Sequence, residues 1–288
     1  MQSNVRTTLF VIIISTLVGC RPTDNSSKPQ HRPDDSTSDS NEAPVAAANS
    51  LLAAAYRDVM GQGKPVVMLA EPGMCPGHFD LRPSQVRRLR SCRFMLRFDF
   101  QHTLDSRLSE DHAGHLRVVS VTISGGICEP ESYLSACRQI GQALVKEGWL
   151  TENEAEKRLA AVRQRMNQLD HWAKNEIENA GLRGKPVLCS GHQAAFCRYL
   201  GLNVVAEFSA ADTASPSQID RAIKAGEQAK VGLVVANLPE GRRLADALAD
   251  RLDAKVAVFG NFPQEPVPQA FNELVRQNVK SLIEASKS

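Results

Sequence analysis

The chain has 288 residues, is 42% hydrophobic and 23% charged, and carries a formal net charge of +2. That length allows two ordinary domains and a sizeable core. A charge so near balance, with no basic run interleaved with aromatic residues, argues against nucleic acid as a partner.

Met1–Cys20 reads as a leader and not as part of the fold. Arg6 supplies a positive start, and Leu9–Val18 is an apolar run too short to span a bilayer. Leu17-Val18-Gly19-Cys20 looks like the lipobox of bacterial lipoproteins, in which the cysteine is lipidated and becomes the new N-terminus. An ordinary signal peptide with a chance cysteine is the other reading. The lipobox makes the protein extracytoplasmic, lipid-anchored through Cys20 on the periplasmic side of a bacterial membrane. Arg21–Pro44 holds no Leu, Ile, Val, Phe, Met or aromatic residue, so it cannot bury surface and should be a disordered tether.

From Val45 to Leu150 apolar runs alternate with amphipathic ones, which predicts an N-terminal α/β lobe. Strands are expected at Val45–Ala48, Pro65–Ala70, Cys92–Phe98 and Arg117–Ser124, the last as a buried strand. Helices are expected at Ser50–Met60, Pro83–Arg90 and Glu129–Lys146. Thr103–Leu116 is polar and takes no assignment.

Thr151–Ala180 has no Pro and no Gly, and it opens with Thr151 and Glu154, a capping-box pair. Apolar residues recur at Ala155, Leu159, Val162, Met166, Leu169, Ala173, Ile177 and Ala180, one stripe on one helix that Gly181 stops. At ~1.5 Å per residue the helix reaches about 45 Å, longer than a compact single-layer domain is wide. It is therefore expected to be a rigid spine between two lobes, although a coiled-coil or dimer helix would show the same stripe.

After the spine, residues 181–288 repeat the alternation as a C-terminal α/β lobe. Strands at Pro186–Cys189, Val204–Phe208, Val231–Ala236 and Lys255–Phe259 alternate with helices at His192–Leu200, Ser217–Lys230, Gly241–Leu252 and Gln269–Ala285. The predicted fold class is α/β: two lobes, each a mainly parallel sheet flanked by helices, joined by one long rigid helix. In such sheets ligands bind beyond the carboxyl ends of the strands. The loops to read for chemistry are thus Glu71–Leu81, Gly125–Pro130, Ser190–Gln193, Asn237–Gly241 and Gly260–Pro268.

Those loops hold no phosphate-binding glycine loop, no nucleophile elbow and no HExxH. Two hold a Gly-His pair, Gly77-His78 and Gly191-His192, and cysteines sit at three of the loops, Cys75, Cys128 and Cys189. Neutral imidazole and thiolate are the usual ligands of zinc and its neighbours, so His78, His192, Cys75, Cys128 and Cys189 are the candidate metal ligands. A strand-end histidine is also commonly a plain hydrogen-bonded residue. Cys92, Cys137 and Cys197 fall in apolar or amphipathic runs and are expected to be buried small apolar residues. A disulfide among Cys75, Cys128 and Cys189 is the alternative to ligation. Trp149 and Trp172 read as packing residues, and Arg242-Arg243 as a solvated basic face.

From about Val45 to the C-terminus the chain resembles the zinc and manganese solute-binding lipoproteins of ABC importers. The resemblance rests on PGMCPGHFDLRPSQVRRL (Pro72–Leu89), on Glu129-Pro130-Glu131-Ser132, on PVLCSGHQAAFCRYLGL (Pro186–Leu202) and on the single linking helix. It implies capture of a transition-metal ion between the lobes and delivery to a permease driven by an ATPase subunit. It implies no enzyme and no catalytic cofactor. The family binds metal with three His and one Asp or Glu, and this sequence departs at each position. Gly77 and Gly191 stand where the first and third His are expected, with His78 and His192 one place late. Gly125 stands at the second, and Gly260-Asn261 at the acidic one.

Three outcomes are open. The site is rebuilt from His78, His192 and cysteines for zinc, with manganese or copper as alternatives; it is open to a chelate or other small molecule; or it is lost, leaving a non-transporting surface interaction module. A metal-activated hydrolase using His78 and His192 is the remaining rival. The protein is expected to be a monomer.

Overall fold

The computed structural model describes residues 45–61, 65–71, 83–89, 91–105 and 116–287. The leader, the tether, Cys20, Cys75 and His78 lie outside the described residues, as does most of Thr103–Leu116. Two four-stranded sheets organise the rest. The first contains β1 (Val45–Ala47), β2 (Val66–Met68), β3 (Phe94–Phe98) and β4 (Arg117–Val121), in the order β2-β1-β3-β4. The second contains β5 (Pro186–Ser190), β6 (Asn203–Phe208), β7 (Leu233–Asn237) and β8 (Lys255–Phe259), in the order β6-β5-β7-β8. Every pairing is parallel. Helices cross between the strands: α1 (Ser50–Met60), α2 (Pro83–Leu89) and α3 (Pro130–Lys146) in the first lobe, α5 (Ala194–Tyr199), α6 (Pro216–Ala229), α7 (Arg243–Leu252) and α8 (Ala270–Lys287) in the second.

Between them runs α4, Glu152–Asn179, 28 residues long and so about 42 Å. Its capping box forms as the sequence predicts: Thr151 Oγ1 accepts from the Glu154 amide at 3.2 Å, and Glu154 accepts from the Thr151 amide at 2.9 Å. Gly181 follows at φ +65°, a left-handed turn that costs a glycine little. Ala155, Val162, Met166, Leu169, Ala173 and Ile177 are buried, in one core with Leu52 and Ile140 of the first lobe and Phe259 and Val275 of the second. The stripe of the spine is thus consumed inside the chain.

Each sheet also has an outer layer, packed around Met95 and Leu89 in the first lobe and around Val234 and Leu248 in the second. The expectation of a buried strand at Arg117–Ser124 is corrected. Among the described residues β4 is the edge of its sheet, bonded to β3 alone, and Arg117, Val118 and Ser120 are exposed. A run of branched residues signals a strand but not its rank in the sheet. Two predicted helix starts are also corrected. Gly191–Gln193 and Leu238–Glu240 each form one 3₁₀ turn, and the α-helices begin at Ala194 and Arg243.

Candidate functional site

In both sheets the strand order reverses between the first and third strands, so β1 and β3, and β5 and β7, flank a topological switch point. The crevice beyond their carboxyl ends is where open α/β sheets place ligands. Beyond β5 the chain turns through Gly191–Gln193; beyond β7 it turns through Leu238–Glu240. These turns set three side chains together. His192 Nδ1 lies 2.5 Å from Glu240 Oε1, and Ser190 Oγ donates to Glu240 Oε2 at 2.6 Å. The bond to Glu240 raises the His192 pKa, and only burial opposes it. Burial pushes the Glu240 carboxyl up, but the bonds from His192 and Ser190 win and hold it below the usual range. The pair is therefore a charged one in weakly acidic water. Because Glu240 stands between Ser190 and His192, the imidazole does not face the serine hydroxyl as a general base would.

Behind this pair lies a neutral network. Gln193 Nε2 donates to Asn261 Oδ1 at 2.8 Å and to Asn237 Oδ1 at 3.0 Å, and Asn261 Nδ2 donates to Asn237 Oδ1 at 3.0 Å. All three amides are buried. The first lobe reaches into this network through Cys128, whose thiol points to the Gly260 carbonyl at 3.4 Å and to Asn261 Oδ1 at 3.8 Å. Asn278 holds Gly260 from the other side, accepting from its amide at 2.8 Å and donating to its carbonyl at 2.9 Å. The lobes approach closely here. A Cβ on Gly126 would sit 3.0 Å from Ala195 Cβ and 3.2 Å from the Phe196 nitrogen. The Glu129 carboxylate folds back over both glycines, accepting from the Gly126 amide at 2.7 Å and lying 2.5 Å from where a Cβ on Gly125 would be. A glutamate side chain thus fills the space beside Gly125, where the sequence resemblance puts a histidine.

Of the candidate ligands, His192 stands at the crevice, its side chain 55% exposed. Cys128 and Cys189 are fully buried and unpaired by any disulfide, as are the predicted core residues Cys137 and Cys197. Cys189 belongs to β5 itself and not to the loop after it. Burial pushes the Cys128 thiol far above its ordinary range, and a hydrogen bond with Cys189 does the same to Cys197. Among the described residues no three His, Cys, Asp or Glu side chains stand within reach of one metal ion. His192, Cys128 and Cys189 are therefore not gathered into one cluster.

The buried polar groups without a partner carry a second signal. Among the described residues they are Asn49 Nδ2, Ser50 Oγ, Gln101 Nε2, Gln193 Oε1 and Asn237 Nδ2. Each follows β1, β3 or β5 by a few residues or, in Asn237, ends β7, so all five border the two switch points. Asn237 Nδ2 lies near Glu240 but outside hydrogen-bond geometry. Unpaired buried donors and acceptors are costly, and they gather where a ligand or ordered water completes them.

Residues 45–285 match the family model described as ZnuA, zinc-uptake complex component A, periplasmic. The chain belongs to this family. A periplasmic metal-binding protein from Candidatus Liberibacter asiaticus, solved with manganese, shares its fold at 15% identity and a TM-score of 0.70, over 85% of this chain and 100% of that one. The laminin-binding protein Lmb of Streptococcus agalactiae, described as having adhesin and metal-transporting activity, does so at 16% identity and TM-score 0.70, over 85% and 99%. A crystal structure of ZnuA gives 12% identity and TM-score 0.69, over 85% and 100%. No curated protein matches the chain by sequence. At these identities the likeness to solved structures is one of fold. Among the described residues no helix is long and apolar enough to cross a membrane.

Reading the sequence singled out His192 and met Asn261 only as a departure from the family's acidic ligand; it gave Glu240, Gln193 and Asn237 no role at the site. The last four fall in the loops chosen for their place at strand ends. Their neutral or isolated character gave no spacing to recognise.

Proposed function

We propose that this chain is the lipid-anchored, extracytoplasmic solute-binding protein of an ABC importer for a transition-metal ion of the zinc or manganese class. It takes its cargo between the lobes as a monomer and hands it to a membrane permease whose ATPase subunit supplies the energy. No bond is made or broken in the cargo. The observation that carries this reading is the His192–Glu240 pair. A carboxylate on Nδ1 fixes the ring and its tautomer and leaves Nε2 for a metal, the arrangement that metal-binding histidines commonly use. His78 and Cys75, the candidates that the sequence offers in the first lobe, would complete the ligand set. Cys128 and Cys189 would join only after the junction opens and their thiols lose protons, which favours a soft ion such as zinc or copper(I).

Metal analysis and zinc titration of the untagged, reduced protein test this reading. About one ion per chain is expected, with binding that weakens as pH falls and is mostly lost in both His78→Ala and His192→Ala. Equal, weak, pH-independent binding in all three proteins would remove the metal site.

A second reading is favoured by the unpaired amide groups, Gln193 Oε1 an acceptor and Asn237 Nδ2 a donor, and by glycines where the family carries side-chain ligands. Such a crevice suits a metal chelate or another polar small molecule. Native mass spectrometry that finds an organic adduct, without free-ion binding, would select it. Binding of neither would leave a non-transporting interaction module.

A further inference from the structure

A charged group buried between the lobes lies away from the strand-end crevice. Asp58 sits in the last turn of α1 with its side chain 2% exposed. Its Oδ2 accepts from Arg165 Nη2 on the spine at 2.5 Å and from the Tyr133 hydroxyl on α3 at 2.7 Å. Its Oδ1 accepts from the backbone amide of Gln269 in the second lobe at 3.0 Å. One carboxylate therefore ties together both lobes and the helix between them.

The tie falls on a strained point. Gln269 has φ +66°, a left-handed backbone that side-chain-bearing residues rarely adopt, and it immediately precedes α8. The flanking contacts grip the same segment. Arg57 Nη1 donates to the Pro266 carbonyl at 2.5 Å, Arg165 Nε to Asn272 Oδ1 at 3.3 Å, and the Tyr133 ring stacks on Phe271 with centroids 4.1 Å apart. Three donors of different kinds converge on two oxygens, so the position demands a carboxylate. An amide offers one acceptor oxygen and would turn an NH₂ group toward Arg165 or the Gln269 amide. Tyr133 stays a donor, because burial, then Cys137 and Asp58, hold its pKa well above the ordinary value.

We propose that Asp58 is a positioning residue: by pinning the left-handed turn at Gln269 it sets how the second lobe meets the first. The segment it pins, Pro266–Asn272, ends the stretch that leaves the amide network at Asn261, so the same carboxylate anchors the far end of that stretch. The contacts alone carry this, whatever the crevice binds.

The test is hydrogen–deuterium exchange of the full chain with a chelator present, which keeps its outcome separate from that of the metal reading. Asp58→Asn should raise exchange in Pro266–Asn272 about tenfold or more, the factor for losing a bond to a charged acceptor. The amides of β1, β3, β5 and β7 should keep wild-type protection. Tyr133→Phe, which keeps the carboxylate, should raise it less and serves if Asp58→Asn does not fold. In a Gln269→Gly background the left-handed turn costs little, so the Asp58→Asn effect on the segment should shrink. Wild-type exchange in Pro266–Asn272 would overturn the proposal. So would a loss of protection spread equally over all strands, or an Asp58→Asn effect of the same size with Gly at 269.

Discussion

The two lobes meet along two seams built from opposite chemistries. At the α8 end a carboxylate and a guanidinium, both largely withdrawn from water, are bonded to each other and to neutral donors. At the strand ends Cys128, Gln193, Asn237, Asn261 and Asn278 hold one another with no formal charge. A buried ion pair costs much to desolvate and tolerates only the geometry that repays it. Neutral amides cost less, and their donors and acceptors can be exchanged for those of a ligand. The charged seam therefore suits a fixed junction, and the neutral one suits a surface that changes partners.

The largest expected effect comes from unbalancing the charged seam. Arg165→Met leaves Asp58 buried without its cation and should cost about 3–5 kcal/mol in denaturant unfolding. Replacing both members with apolar residues of like size should cost far less. If the single variant is as stable as wild type, the ion pair is not what holds this seam.

A smaller effect comes from charging the neutral seam. Asn261→Asp removes the donor to Asn237 and buries a carboxylate with no cation beside it, a loss of about 1–3 kcal/mol near neutral pH. Its pKa should rise, so the loss should fade as pH is lowered. Under the metal reading, added zinc should restore more stability to this variant than to wild type. Equal response to zinc in both would count against an ion seated at the strand ends.

The smallest effect belongs to the crevice pair. The folded-state pKa of His192 is raised, so its contribution is complete below the unfolded value, ~6.5, and disappears as pH climbs through the folded value. The folded-state pKa of Glu240 is lowered, so its contribution is present above ~4.3 and disappears as pH falls through the folded value. The pair thus contributes between those two limits, by less than about 1 kcal/mol because the imidazole is half in water. The stability difference between wild type and His192→Gln should be largest in that window and shrink toward pH ~8. A difference that does not change with pH would mean the pair is not charged. Metal binding should lose to protons at a higher pH than it would at an ordinary histidine.

What could be read in the sequence follows from how local each signal is. The spine was legible because its stripe repeats over many turns and both its cap and its stop are local. The parallel strands were legible as apolar runs between helices, although the edge position of β4 was not, since neighbours in a sheet are distant in the chain. The seams depend on pairs such as Asp58–Arg165, Asp58–Gln269 and Cys128–Gly260, which no local pattern announces. One clue did exist. On α1, Leu51, Ala54, Ala55 and Asp58 fall at i, i+3, i+4 and i+7, so an acid occupies the apolar face. A charge in such a place implies a partner from elsewhere in the fold.

The exposed edge of the first sheet bears on how copies of this chain behave when crowded. Among the described residues no strand pairs with the outer side of β4, and Val118, 38% exposed, adds an apolar side chain there. Such edges template strand-to-strand aggregation. Arg117, at the head of the strand, is ion-paired with Glu147, and Arg93 stands 3.7 Å from the same carboxylate. A second chain zipping along β4 would have to strip water from that guanidinium and disturb its pairing. In the other sheet, exposed Lys255 opens the edge strand β8 in the same way. Both outermost strands on that side of their sheets thus begin with a cation that resists pairing with another molecule.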